Sequence, residues 1–318
     1  MKYLVTGGAG FLGRSLTKSL LKDGHSVVAL DNLVTGSLEN IDEFAQDSNF
    51  KFVKGDVREI QNIEVDGIFN LACPASPPKY QSNPVDTFMT SILGAKAVLD
   101  LATSRGIPVL QASTSEIYGD PEISPQHENY WGNVNPIGIR SCYDEGKRAA
   151  ETLFFDFLRE KNTDIRVARI FNTYGPFMAI DDGRVVSNFI VQSLTNKPIT
   201  IYGSGNQTRS FCFVDDLIVG IKSLMFDSNL REPVNLGNPE SFTMIELAKI
   251  ILELTKSKSE IQFKPLPTDD PKNRKPDIAL ARKSLNFIPT IEIREGIERT
   301  VEYFKGVIKD EKKISDTL

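Results

Sequence analysis

The segment "VTGGAGFLG", residues 5–13, constrains the fold more than any other stretch of the chain. It follows a short apolar run, Tyr3–Val5, and opens a helical pattern over Phe11–Asp23. Gly7, Gly10 and Gly13 stand at G-x-x-G-x-x-G spacing. In a strand-turn-helix unit the first glycine permits the tight turn. The second lets the backbone approach a pyrophosphate, and the third lets helix and strand pack closely. The helix N-terminus then faces phosphate charge. Gly7, Gly10, Phe11, Leu12 and Gly13 are therefore the candidate dinucleotide contacts.

The next apolar run, Ser26–Leu30, ends in Asp31-Asn32. An acid there accepts hydrogen bonds from the adenosine ribose and repels a 2′-phosphate, which predicts NAD over NADP. "GDV" (55–57) ends a third strand and offers Asp56 to an adenine amine; the alternative is a simple turn. Val57, and Leu71-Ala72 after the run Gly67–Leu71, complete the candidate cofactor set.

Further apolar runs at Phe52–Val53, Val109–Ala112 and Arg166–Phe171 alternate with helical patterns at about Pro84–Arg105 and Tyr143–Glu160. Strand-helix alternation implies a parallel sheet covered on both faces. The fold class is thus α/β, a Rossmann-type doubly wound parallel sheet with a smaller C-terminal substrate-binding domain. The division reads as 1–171 for the NAD-binding domain, with a return segment at 210–235, and 172–318 mainly for substrate. The second region carries loops rich in Gly, Pro and Asp, such as "YGPFMAIDDG", "YGSGNQTRS" and "PLPTDDPKNRKPD". A charged tail after Phe304 is expected to fray.

The 318 residues carry a net charge of −5, which argues against nucleic acid as a partner. With two histidines, His25 and His127, neither a His-based metal site nor a Ser-His-Asp triad is expected. Three scattered cysteines, Cys73, Cys142 and Cys212, imply no disulfide framework. No apolar run is long enough to span a membrane, and the chain opens directly on a strand. A cytoplasmic location is the expectation.

Two patterns carry chemistry. "ASTSEIYGD" (112–120) ends a buried strand in Ser113, Thr114 and Ser115, followed by Glu116. "SCYDEGKRAAETLFF" places Tyr143 and Lys147 four apart, on one helix face. A lysine beside a tyrosine, with a cationic nicotinamide ring, favours phenolate and lowers the tyrosine pKa. A phenolate is the base needed to take a proton from an alcohol while its hydride leaves. Alone, the Tyr-Lys spacing also describes a solvated helix pair; behind a dinucleotide loop the catalytic reading is stronger.

Together "TGGAGFLG", Asp31, "STSE" and "YDEGK" resemble the extended short-chain dehydrogenase/reductase family, over nearly the whole chain. Within it, "PASPPKY", "STSEIYGDP", "PQHENYWGNVNPIG", "CYDEGKRAAET", "RVARIFNTYGP", "DDGRVVSNFI", "YGSGNQTRSF" and "NRKPD" are similar to the branch that decarboxylates UDP-glucuronate to UDP-xylose. The resemblance implies tightly bound NAD, a UDP-sugar substrate and a homodimer through a four-helix interface. It implies Tyr143 as the base at the sugar C4 hydroxyl, Lys147 on the nicotinamide ribose, and Thr114 on the C4 oxygen. Glu116 and Arg274 would act near C5 and the carboxylate. Pro78, Tyr80, Asn172, Val186, Asn188, Tyr202 and Arg209 would hold the nucleotide sugar. Plainer readings stay open: Asn172 as a strand cap, Arg274 as a solvated loop charge, and Arg209 paired with Asp215 or Asp216.

The chain departs from the family pattern at Phe177, where arginine usually follows "YGP", and at Ser91, where asparagine is usual. The first bears on sugar recognition, the second on packing or a water near the cofactor. Related 4,6-dehydratases carry Thr-Asp-Glu where this chain has Thr114-Ser115-Glu116. A 4,6-dehydratase or 4-epimerase on the same scaffold is the alternative function. A non-catalytic NAD-binding regulatory protein is the distant one, and intact Tyr143, Lys147 and Thr114 argue against it.

Overall fold

A computed structural model describes residues 1–60, 63–266 and 273–315. Its elements run β1 (Lys2–Thr6), α1 (Phe11–Lys22), β2 (Ser26–Asp31), β3 (Phe50–Lys54), β4 (Gly67–Asn70), α2 (Pro77–Ser82), α3 (Pro84–Arg105), β5 (Val109–Thr114), α4 (Ser141–Lys161) and β6 (Ile165–Ile170). Then come β7 (Thr173–Tyr174), α5 (Val185–Leu194), β8 (Ile199–Tyr202), β9 (Thr208–Ser210), β10 (Cys212–Phe213) and α6 (Val214–Phe226). The chain closes with β11 (Pro233–Leu236), β12 (Ser241–Thr243), α7 (Met244–Thr255), β13 (Ile261–Lys264), α8 (Ala279–Leu285) and α9 (Ile293–Ser315).

Seven strands of the described residues form one sheet in the order β11-β6-β5-β4-β1-β2-β3. Every pairing in it is parallel. Its strands β4 and β5 are buried along their whole length, which is why their sequences are not amphipathic. One face is covered by α1 and α6, packing Leu16, Leu20, Leu217 and Ile221. The other is covered by α3 and α4, packing Val98, Leu99, Phe154 and Phe157. From β1 the chain builds outward through β2 and β3, then returns to build β4, β5 and β6 on the other side. Strand order therefore reverses between β1 and β4, and the crevice beyond their carboxyl ends is where such sheets bind ligands. The register Thr6↔Asn70 sets the glycine turn beside Leu71 in that crevice.

Segment 210–235 contributes α6 and the first part of β11, so this part of the chain packs on the large sheet. The remaining elements form small sheets, β13 with β8 and β12 with β9, against α5, α7 and α9. A capping box between Thr243 and Glu246 starts α7. The centre of the loop read at 265–277, residues 267–272, lies outside the described residues. The tail expected to fray after Phe304 is instead helical to Ser315. It is held because α9 buries Ile297, Val301 and Phe304 along one stripe.

Candidate active site

A cavity of about 410 Å³ runs from the glycine turn to Arg274. At one end Gly7 has φ +66°, and a Cβ there would lie 3.0 Å from the Leu71 and Ala72 backbone. A Cβ on Gly13 would lie 2.1 Å from the Gly7 carbonyl oxygen, so helix and turn meet too closely for any side chain. Thr6 Oγ1 accepts from the N–H groups of Leu71 (3.1 Å) and Ala72 (3.2 Å), which fixes the far wall. Phe11, Leu12, Asn32, Val57, Leu71 and Ala72 all line this end.

Asp31 closes it. Its carboxylate accepts from the Ala9 N–H (3.0 Å) and the Leu33 N–H (2.8 Å). Burial raises its pKa, and those two N–H groups oppose the rise. Each oxygen keeps capacity for a further hydrogen bond toward the cavity. Gly36, which sequence reasoning missed, packs against it: a Cβ there would lie 2.9 Å from the carboxylate. Asp56 does not line the cavity, although Gly55 and Val57 do. Its carboxylate is engaged by Arg58 (2.6 and 2.8 Å) and Asn32 (3.2 Å). The Arg58 hydrogen bonds lower it to about 2, against a smaller opposing effect of burial.

The other end is built where β5 meets α4. Thr114, Ser115 and Glu116 line the cavity, and Thr114 Oγ1 caps the following turn by accepting from the Glu116 N–H (3.2 Å). Tyr143 faces them from the first turn of α4 and hydrogen-bonds Thr114. Tyr80 stacks flat behind Tyr143, with ring centroids 5.0 Å apart at 4°. Lys147, one turn on, donates to the Ala112 carbonyl (2.9 Å). In the protein alone, burial raises the Tyr143 phenol, Cys73 and Glu116 add to the rise, and Thr114 and Arg184 oppose it. The lowering expected from the sequence counts the charge of a bound nicotinamide ring together with Lys147.

Glu116 lies between two arginines. Arg274 Nη1 donates to Oε1 (2.7 Å) and Arg140 Nη2 to Oε2 (2.5 Å). Burial opposes the charge, but Arg274 and Arg140 outweigh it and hold the carboxyl down at about 2. Arg274 is therefore no solvated loop charge; its side chain is 8% exposed. Its Nη1 also reaches Asn172 Oδ1 at 3.5 Å, and its Nη2 has no partner among the described residues. Arg140 was not read from the sequence. Its only local signal is its place three residues before Tyr143. Arg184, also missed, lines the cavity and pairs with Asp182 at 2.6 Å. Beside the pair sits Asp144, where burial and then Glu116 push the carboxyl up to about 8, against Arg140 and Arg274.

Of the residues expected to hold a nucleotide sugar, Asn172 and Arg274 line the cavity with Glu116. Pro78, Tyr80, Val186, Asn188, Tyr202 and Arg209 do not. Pro78 packs on Gly183, where a Cβ would meet it at 2.4 Å. Val186 and Asn188 lie in the first turns of α5, and Asn188 donates to the Gly183 carbonyl (2.8 Å). Tyr202 is exposed at the end of β8. Arg209 is buried and bridges Arg274 through the backbone, while Asp215 pairs with Arg299 and Asp216 holds Thr290. Ser91 Oγ contacts Cys73 Sγ at 3.2 Å.

The NAD dependent epimerase/dehydratase family matches residues 3–237. The chain belongs to this family. The glycine cradle, the buried Asp31 and the Tyr143–Lys147 face fit the NAD that the family name requires. UDP-glucuronic acid decarboxylase 1 of Danio rerio is 50% identical over 303 residues, covering 95% of this chain and 72% of that one. UDP-glucuronic acid decarboxylase 6 of Arabidopsis thaliana is 50% identical over 306 residues, 96% and 89%. The UDP-glucuronic acid 4-epimerase of Bacillus cereus, solved with UDP-glucuronic acid and NAD, matches with TM-score 0.87 at 26% identity, covering 96% and 100%. No helix among the described residues is long and apolar enough to cross a membrane.

Proposed function

We propose that this family member converts UDP-glucuronate to UDP-xylose and carbon dioxide. Glu116, held ionised between Arg274 and Arg140 beside Tyr143, is the observation that carries the reading. A carboxyl kept near 2 donates no proton to a leaving hydroxyl at neutral pH, which a 4,6-dehydratase requires. The neighbouring position, where those dehydratases place a second acid, is Ser115. The 50% identity to decarboxylases over nearly all of the chain points the same way.

NAD, when bound along Gly7–Gly13 and Asp31, supplies the acceptor and later the donor of one hydride at the sugar C4. Tyr143 takes the C4 hydroxyl proton, and Thr114 hydrogen-bonds the C4 oxygen. With C4 a ketone, the C5 carboxylate is β to a carbonyl. The C5–carboxyl bond breaks, carbon dioxide leaves, and its electron pair rests as an enolate on the C4 oxygen. C5 then takes a proton from solvent, and Tyr143 returns its own proton as C4 becomes an alcohol again. The protein's part is position and charge. Lys147 and Tyr143 hold the cofactor's nicotinamide end, while Asn172 and Arg274 hold the nucleotide sugar and Arg209 positions Arg274 through the backbone. Pro78, Tyr80, Val186 and Asn188 support that end from behind the cavity wall.

In this reading residues 1–171 with 210–235 are the cofactor domain and 172–318 mainly the substrate domain. A homodimer through α3 and α4 is part of the proposal. Leu99, Phe154 and Phe157 are buried within the chain. Val85, Met89 and Leu93 are instead exposed at i, i+4, i+8 along α3, and form the stripe offered to a second copy. Three free cysteines support a reducing, cytoplasmic location.

Mass spectrometry of the product from UDP-glucuronate tests the function. The expected product is lighter by one carbon dioxide. A product of unchanged mass means 4-epimerisation, and no product means that this sugar is not the substrate.

A further inference from the structure

Phe177 has φ +70°, in the left-handed region that bulky side chains avoid. Such strain persists only where the surroundings impose it, and it concentrates at ligand clamps. Here two side chains hold the ring. The Arg14 guanidinium carbon lies 3.4 Å from the Phe177 ring centroid, a close cation–π stack. On its other contact the Phe177 ring meets Tyr303, with centroids 4.6 Å apart at 39°.

The three residues come from α1, the loop after β7, and α9. Tyr303 and Val307 stand four apart on α9, so they share a face, and both line the cavity together with Phe177. The adjacent stripe of α9 is anchored in the core by Ile297, Val301 and Phe304. At the other end of the stack Arg14 is buried and pairs with Glu43. Glu43 lies in the turn just beyond residues 31–40, several of which line the cofactor end of the cavity. The stack thus ties three walls of that end together: the phosphate-facing helix, the ribose-side loop and the C-terminal helix. Because Glu43 neutralises Arg14, the stack acts by covering the groove, not by ion pairing with phosphate.

We propose that Arg14, Phe177 and Tyr303 form a clasp over the dinucleotide groove, and that Phe177 and Tyr303 are cofactor-retaining residues. The need for retention rests on the proposed redox-neutral cycle, because a cofactor lost after the first hydride transfer strands a keto sugar. The clasp itself needs only NAD binding.

The test is substrate-free. Purified protein is loaded with NADH, chased with excess NAD⁺, and followed by the fluorescence of bound NADH. Phe177→Gly removes the ring without leaving a strained φ, and a cooperative melting transition shows that it remains folded. Phe177→Gly and Tyr303→Ala are expected to release NADH about tenfold faster or more. Tyr303→Phe, which keeps the ring, and Lys305→Ala, an exposed change on the same helix, are expected within about twofold of the parent. Unchanged release in Phe177→Gly and Tyr303→Ala overturns the clasp. So does equal acceleration in Tyr303→Phe and Lys305→Ala, which signals a loosened helix. A failed decarboxylase reading shows separately, in the product from UDP-glucuronate.

Discussion

Arg274 Nη1 lies 2.7 Å from Glu116 Oε1, a contact that spans 158 residues of sequence. It joins the tip of a central sheet strand to a loop of the C-terminal region, so the site exists only when both have folded. Truncating one partner of a buried charge pair leaves the other uncompensated. Arg274→Ala is therefore expected to lower kcat/KM for UDP-glucuronate by about 10²-fold or more. Arg274→Lys, which lacks the second planar donor, should recover only part. Steady-state kinetics with both variants check this, and parent-like turnover by Arg274→Ala removes Arg274 from the site.

The same cluster makes a prediction about pH and stability. Asp144 has its carboxyl raised to about 8 by burial and by Glu116, and its Oδ1 has no hydrogen-bond partner among the described residues. A folded carboxyl with a raised pKa binds more protons than the unfolded chain. Stability is then lost as pH rises, from its ordinary value near 4 through about 8. Glu116 has the opposite sign: its stabilisation is present above the ordinary 4.5 and is lost as pH falls toward about 2. Asp144→Asn removes the first effect alone. Its melting temperature is expected to exceed the parent's by a margin that grows between about pH 4 and pH 8. A margin that stays flat with pH counts against a buried, proton-holding Asp144.

Tyr143→Phe is expected to keep fold and NAD binding while lowering turnover by about 10³-fold, the scale of a lost general base. Lys147→Met should be nearly as damaging. It removes the donor to the Ala112 carbonyl and the one ammonium on the Tyr143 face. Circular dichroism, NAD titration and turnover together separate loss of chemistry from loss of structure. Wild-type turnover by Tyr143→Phe rules it out as the base.

What was legible in the sequence follows from distance along the chain. The glycine turn, Asp31 and the Tyr143–Lys147 pair are local patterns, and their geometry is set by a turn or by one helix repeat. Strand ends were legible for the same reason, since Val109–Ala112 needed only two more residues to become β5. Arg140, Arg184 and Gly36 were not, because their meaning depends on partners brought in by folding. The burial of Tyr143, which raises its phenol before any cofactor is bound, was not legible either, because it depends on elements packed around α4. The Phe177 departure was visible as a departure, yet its partners Arg14 and Tyr303 stand at opposite ends of the chain.

Cofactor choice follows from Asp31. Its buried carboxylate is fixed by the Ala9 and Leu33 N–H groups. In the proposed pose of NAD it faces the adenosine ribose, where a 2′-phosphate would bring a second negative charge. At about 4 Å and an effective dielectric near 20 that repulsion is several kcal/mol, so NAD is expected to bind at least about 10²-fold more tightly than NADP. Titration of each into cofactor-free protein measures the ratio. Equal affinities contradict the role given to Asp31.

Ser115 is buried and lines the cavity next to Glu116, whose carboxylate is ionised between Arg140 and Arg274. Ser115 adds no charge there, whereas an aspartate at 115 would add a negative one where the proposed substrate brings its own carboxylate. Two carboxylates about 4 Å apart repel by about 4 kcal/mol at an effective dielectric near 20. Ser115→Asp is therefore expected to raise KM for UDP-glucuronate by about 10²-fold or more, with a smaller effect on kcat. The unmodified protein is expected to give no 4-keto-6-deoxy product from UDP-glucose or dTDP-glucose, because no acid at 115 is there to protonate a departing C6 hydroxyl. Chromatography of the sugar nucleotides after incubation checks both. Efficient dehydration of a neutral hexose nucleotide would show that the site does not select for a carboxylate.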